Sequence, residues 1–155
     1  MTVFVATIEP QMKHATVNEA HQLQQDGSTY VDVRSTREFN AGHPEGAVNV
    51  PLLEPDESGQ MVQNPDFLHV MKASFPADSK LLIGCQAGMR SMKAAQMLET
   101  FGFTDVTNVR GGFGGARDQS GAVVEPGWTT AGLPVEMDAP ADRQYETLLE
   151  RSDKA

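Results

Sequence analysis

One sulfur dominates the nucleophilic chemistry open to this chain. Cys85 is the only cysteine among 155 residues. It sits in Gly84-Cys85-Gln86-Ala87-Gly88-Met89-Arg90-Ser91, a run with the character of a short loop between a strand and a helix. A helix start offers unpaired N–H groups and a partial positive charge. A thiol placed there ionises more readily than a free one. Arg90 adds a permanent charge, and Gly88 lets the backbone turn tightly enough for successive N–H groups to form an anion nest. A free cysteine on its own is more often a small buried hydrophobe. That reading gives no role to an arginine on the same tight turn, so a nucleophile held in an anion-binding loop is the better one. Ser91 closes the loop. With no second cysteine, an internal disulfide is impossible.

The elements around the loop follow from apolar spacing and caps. Leu81-Leu82-Ile83 is a continuous apolar run, as in a strand buried on both faces. Ala94, Ala95, Leu98 and Phe101 place an apolar stripe on a helix from Ser91 to Phe101, with Gly102 as its stop. Upstream, Thr16-Val17-Asn18-Glu19 is a capping box that opens a helix to about Gln25, ending at Asp26-Gly27. Tyr30 to Val33 is a strand, and Ser35-Thr36-Arg37-Glu38 is a second capping box ahead of a short helix closed by Gly42-His43-Pro44. Ala47 to Val50 is a further strand, stopped by Pro51. Asn64-Pro65 starts a helix with Phe67, Leu68, Met71 and Phe75 on one face. Val106 to Val109 is the last strand. Strands and helices alternating at this length predict an α/β domain, with a mainly parallel central sheet and helices on both faces. In such sheets ligands bind beyond the carboxyl ends of the strands, which is where Cys85 falls.

Composition narrows the partners. Twelve Lys and Arg against 21 Asp and Glu leave a formal charge of −9, with no basic run. Nucleic acid and anionic membrane surfaces are therefore not expected as partners. No window approaches the roughly 18 apolar residues of a membrane span. Met1 to Lys13 lacks a basic stretch followed by an apolar one, so no secretory signal is expected and the default location is cytoplasmic. The boundaries that follow are an N-terminal extension over 1–15, one domain over 16–136, and an acidic tail over 137–155, helical at Asp142 to Arg151.

Several motifs, in order, resemble the single-domain rhodaneses, the thiosulfate sulfurtransferases. Cys85 to Ser91 resembles the family's active-site loop C-x-x-G-x-R-S. Val31-Asp32-Val33-Arg34 followed by Glu38-Phe39 resembles its D-x-R…E-F segment, and Gly42 to Pro51 its G-H-x-x-G-A-x-N-x-P segment. Val109-Arg110-Gly111-Gly112 resembles the closing x-G-G turn, and Ala131-Gly132-Leu133-Pro134-Val135 the usual domain end. The likeness runs from about Thr16 to Val135, and ordered motifs at this density are rarely accidental.

The resemblance implies a rhodanese-like fold and a two-step transfer of sulfane sulfur. Cys85 would take sulfur from thiosulfate or a similar small anionic donor as a persulfide, then pass it to cyanide, a thiol or a protein acceptor. The loop from Gln86, Ala87, Gly88 and Met89 to Arg90 and Ser91 would bind the donor, with loop amides holding developing charge and Arg90 neutralising the sulfonate. Asp32 and Arg34 would brace the loop. No cofactor or metal is implied. Related phosphatases and arsenate reductases have five residues between Cys and Arg, whereas this chain has four. Mercaptopyruvate-type loops carry a smaller residue where Arg90 stands. A non-catalytic partner-binding module and a phosphatase-like or arsenate-reducing enzyme are the alternatives.

The remaining candidates have plainer readings. His43 precedes Pro44 in a turn and is expected to be structural or solvated. It shows no metal-ligand spacing with His14, His21 and His69. Gly111 to Gly127 holds six glycines and is expected to be an irregular loop, with Gly111-Gly112-Phe113-Gly114-Gly115 a flexible turn rather than a phosphate loop. Its longer segment, about Gly114 to Pro126, would rim the site or lie on the surface. Trp128 should pack in the core, and the eight methionines should serve as core filler.

Overall fold

The structure, a computed structural model, describes residues 12–153. The chain runs β1 (Lys13–Ala15), α1 (Val17–Gln25), β2 (Thr29–Asp32), α2 (Thr36–Ala41), β3 (His43–Pro44), β4 (Val48–Asn49), β5 (Leu53–Pro55) and β6 (Met61–Gln63). It continues α3 (Phe67–Ser74), β7 (Lys80–Gly84), α4 (Met89–Thr100), β8 (Asp105–Val109), β9 (Ala116–Arg117), β10 (Val123–Glu125), β11 (Val135–Glu136) and α5 (Tyr145–Asp153). Five strands form one parallel sheet in the order β1-β8-β7-β2-β4. This is the expected α/β architecture.

Alternation along the central strands builds a core on each face of the sheet. Leu81 and Ile83 point toward α3, α4 and α5, where they join Val31, Phe67, Met71, Ala94, Leu98 and Leu148. Leu82 points the other way, toward Val17 and Ala20 of α1, Phe39 of α2, Tyr30 and Trp128. Both capping boxes form as expected. Thr16 Oγ1 accepts from Glu19 N at 3.1 Å and Ser35 Oγ from Glu38 N at 3.2 Å, with each glutamate reaching back to its cap residue.

Several expectations about the edges are corrected. Of the expected N-terminal extension over 1–15, residues 1–11 lie outside the described residues, and Lys13–Ala15 forms the outermost strand of the sheet, parallel to β8. The acidic C-terminal stretch, expected as a helical tail, is helical over Tyr145–Asp153 and docks on the domain. Leu148 is buried in the larger core, Asn64 Nδ2 donates to Tyr145 Oη at 2.8 Å, and Arg143 Nη1 donates to Ala47 O at 3.0 Å. Net charge obscured the cause: Tyr145, Leu148, Leu149 and Ser152 share one helical face. Helix α3 starts at Phe67 because Asn64 caps an earlier turn, its Oδ1 accepting from Asp66 N at 3.0 Å.

The glycine-rich stretch contains the antiparallel β9–β10 hairpin, and among the described methionines only Met71 is fully buried core. Met89, Met92, Met61 and Met137 are exposed. Trp128 packs as expected, its Nε1 donating to Pro134 O at 2.6 Å. His43 is buried and structural, stacked on Phe39, with Nδ1 2.7 Å from Phe39 O and Nε2 3.0 Å from Glu136 Oε1.

Candidate active site

Cys85 follows β7 directly, and α4 begins four residues later at Met89, two residues earlier than expected. Gly84 has to be glycine, because a Cβ there would lie 1.9 Å from Tyr30 Oη beneath it. Gly88 adopts a left-handed φ of 102° and serves as the N-cap of α4 without a side-chain cap. That conformation favours glycine and leaves the first N–H groups of the helix facing the loop.

Cys85 is only 2% exposed. Gly88 N–H donates to Sγ at 3.1 Å, and the Ser91 hydroxyl lies 3.4 Å from it. An N–H donor so placed can hold a thiolate or the anion of a persulfide, and the Ser91 hydroxyl, which here accepts from the thiol, can join it by turning its proton to the sulfur. The outer sulfur of a persulfide would project about 2 Å beyond Sγ.

The two loop arginines differ in how they are held. Arg34 is buried, donating to both carboxylate oxygens of buried Asp32, at 2.8 Å for Nη2 to Oδ2. Its other contacts are Gly42 O at 2.7 Å, Gln86 Oε1 at 3.3 Å and the Phe113 ring at 4.3 Å. Asp32 and Arg34 thus reach the loop through Gln86 rather than through the thiol. Arg90 is half-buried and makes a bidentate pair with Glu38, at 2.7 and 2.9 Å. Hydrogen bonding to Arg90 outweighs desolvation and holds the Glu38 carboxyl at about 2, well below its ordinary range. The same pair raises the Arg90 guanidinium further. Of the other loop residues, Gln86, Ala87 and Met89 are exposed, Met89 by 81%.

The rear wall of the loop was missed in the sequence. Phe113 N–H donates to Cys85 O at 2.7 Å and Gly114 N–H to Gln86 O at 2.9 Å. A Cβ on Gly112 would come within 2.2 Å of Cys85 O, and one on Gly114 within 2.2 Å of Gln86 Nε2. The glycines expected to form a flexible turn instead let one backbone clamp another. Paired glycines two residues apart, directly after a strand, were the available signal. Glu38 was visible as a helix cap and in the E-F motif but not as the partner of Arg90, and Asn108, whose Oδ1 accepts from Ser91 Oγ at 2.7 Å, carried no signal at all. Among the described residues no group of three or more His, Cys, Asp or Glu could hold a metal ion.

Fold and loop together define a class: a parallel α/β domain with a lone cysteine in a tight strand-to-helix turn at the carboxyl end of a central strand. The chain belongs to the rhodanese-like domain family, which it matches over residues 16–118. It is 40% identical over 120 residues to the senescence-associated protein DIN1 of Raphanus sativus, covering 77% of this chain and 58% of that protein. It is 43% identical over 98 residues to the chloroplastic thiosulfate sulfurtransferase 16 of Arabidopsis thaliana, covering 63% of this chain and 81% of that one. Among solved structures, Rv0390 from M. tuberculosis superposes with a TM-score of 0.66 at 27% identity, over 81% of this chain and all of that one. The chain thus spans less than three-fifths of the length of DIN1.

These relatives overturn the expectation of a cytoplasmic protein. Thiosulfate sulfurtransferase 16 and rhodanese-like domain-containing protein 15 are both named as chloroplastic, and a further A. thaliana relative is named as mitochondrial. Among the described residues no helix is long and apolar enough to cross a membrane.

Proposed function

We propose that this domain is a sulfurtransferase that moves sulfane sulfur from thiosulfate, or a similar small anionic donor, through a persulfide on Cys85. The observation that carries this reading is the sole cysteine at a helix start, with the Gly88 amide and Ser91 hydroxyl both on its sulfur. The thiolate attacks the outer sulfur of the donor. A new S–S bond forms, the donor's own S–S bond breaks, and its electron pair leaves with sulfite. Cyanide or a thiolate then attacks the outer sulfur of the persulfide, taking it away and returning Cys85 as thiolate. No electrons are gained or lost overall, so no redox cofactor is needed. The kinetics should be those of a double displacement.

Residue roles follow from position. Gly88 N–H and the neighbouring helix-start amides stabilise the sulfur anion. Arg90 meets the sulfonate, but only by sharing or leaving Glu38. Asp32 and Arg34 hold Gln86 and the Gly42 turn in place. The relative named thiosulfate sulfurtransferase 16 supports the donor class, and four residues between Cys85 and Arg90 favour sulfur over a phosphoryl group. The organelle-named relatives favour an organelle as the setting.

The test is the intact mass of the protein after incubation with thiosulfate, for wild type and Cys85→Ser. The expected result is a gain of one sulfur in wild type, removed by cyanide and absent in the variant. No gain after reducing pre-treatment would overturn thiosulfate as donor. Turnover of an aryl phosphate would then point to the phosphatase-like reading.

A further inference from the structure

Behind the sulfur lies a polar path through the protein. Ser91 and Asn108 are both buried. The Ser91 hydroxyl lies 3.4 Å from Cys85 Sγ and 2.7 Å from Asn108 Oδ1. The other end of that amide, Asn108 Nδ2, lies 3.2 Å from Nδ1 of His14. His14 is exposed, on the edge strand β1, directly opposite Asn108 in the β1–β8 register. Four side chains therefore form one hydrogen-bonded chain, from the candidate nucleophile to the surface behind the sheet edge.

Each link can be reversed. A hydroxyl donates one proton and accepts others, an amide presents oxygen or nitrogen by a half-turn, and a neutral imidazole carries its proton on either nitrogen. With Cys85 as thiol, S–H donates to Ser91 Oγ, Ser91 donates to Asn108 Oδ1, and Asn108 Nδ2 donates to His14 Nδ1. A thiolate can only accept, so Ser91 must turn its proton to the sulfur. Asn108 then satisfies Ser91 only by turning its Nδ2 toward that oxygen. Its Oδ1 now faces His14, which must present Nδ1–H. Mixed arrangements set donor against donor or acceptor against acceptor, which is costly at the buried Cys85, Ser91 and Asn108. Gly88 O, at 3.2 Å from Ser91 Oγ, is the weaker competing acceptor.

We propose that Asn108 is a positioning residue which sets the direction of the Ser91 hydroxyl at Cys85, and that ionisation of Cys85 is thereby coupled to the tautomer of His14. No proton travels along the chain. Cys85 loses its proton to solvent, and His14 exchanges one ring proton for the other with solvent. Linkage makes the coupling reciprocal, so a protonated His14 favours the thiolate.

Other charges face both ends. Arg90 and Tyr30 interact electrostatically with Cys85, and the Asp32–Arg34 pair acts on Tyr30 in turn. Near His14 stand Glu99 of α4, Lys13 of its own strand, and Asp105 of β8, which pairs with Lys13. One carboxylate oxygen of Glu99 is buried without a hydrogen-bond partner. These groups act through space, so the test must separate their effect from the relay.

That separation comes from ¹⁵N resonances of the His14 ring, followed with pH alongside the ultraviolet absorbance of the Cys85 thiolate, with Cys85→Ala as the blank. In wild type the two ring nitrogens should show a second step at the midpoint of Cys85 ionisation, besides the step of His14 itself. Ser91→Ala and Asn108→Leu should each abolish that second step. Reciprocally, His14→Leu should move the Cys85 midpoint by roughly half a pH unit or more, and the shift should vanish in the Ser91→Ala background. Absence of the second step in wild type overturns the proposal. So does its survival in Ser91→Ala, which would mean charge acting through space. If Asn108→Leu fails to fold, Ser91→Ala carries the test alone. None of these readouts needs sulfur transfer, so the relay and the proposed reaction can fail separately.

Discussion

Two arginines reach the loop around Cys85, and their surroundings assign them opposite work. Arg34 is 3% exposed and bound on every side, by Asp32, Gly42 O, Gln86 and the Phe113 ring. Arg90 is half-buried and held by one carboxylate, that of Glu38. A buried pair with all its hydrogen bonds made is costly to break, because each partner leaves an uncompensated charge behind. A pair at the mouth of a site is screened by water and exchanges partners at little cost. Arg34 is therefore built into the fold, whereas Arg90 has a single exchangeable partner, and under the proposed function it is the guanidinium that trades Glu38 for an incoming anion.

The largest effect should come from the buried pair. Asp32→Ala should cost about 3–5 kcal/mol of stability, read as a drop in the urea midpoint. A loss below about 1 kcal/mol, typical of an exposed pair, would erase the contrast. Next in size, Arg90→Ala should cost about 1–2 kcal/mol of stability, well below the buried pair. It should raise KM for thiosulfate roughly 10- to 100-fold, the worth of a hydrogen bond to a charged group. An unchanged KM would mean that Arg90 never leaves Glu38.

Glu38→Gln sharpens the comparison further. Freed of its carboxylate, Arg90 should bind the donor better, lowering KM a few-fold, roughly the worth of one exposed ion pair. The same variant carries a pH signature. The Glu38 carboxyl is depressed to about 2 from an ordinary 4.5. Its contribution to stability is therefore fully present above about pH 4.5 and is lost as pH falls toward 2. After discounting for solvent screening this is about 1–2 kcal/mol. Acid titrations of stability for wild type and Glu38→Gln should thus converge near pH 2. Curves still separated there would assign the stabilisation to another group. The smallest effect concerns encounter. With Arg90 neutralised and a chain charge of −9, added salt should modestly raise the on-rate for thiosulfate. A falling rate would show that Arg90 presents its charge before contact.

The parts of the site legible in the sequence were the local ones. The Cys85–Ser91 turn, the Thr16 and Ser35 capping boxes and the buried run at Leu81 to Ile83 are each decided within a few residues. The pairing of Glu38 with Arg90 spans 52 residues, and neither residue type names its partner. Likewise the polar face of α5 masked the stripe at Tyr145 and Leu148 that docks it, because net charge is blind to which side of a helix is apolar.

The sequence by itself determined the candidate nucleophile, the helix start that follows it and the alternation that forces a two-faced sheet, since these rest on backbone geometry and neighbouring side chains. Only the tertiary structure decided what surrounds the sulfur. Strand β8 lands beside β7 and β1 beside β8, and that order places Asn108 behind Ser91 and His14 behind Asn108. The Gly111–Gly115 backbone can close on Cys85 and Gln86 only once both segments are in place. Contacts of this kind depend on strand order and register, which emerge when the whole core packs and are written in no single stretch of chain.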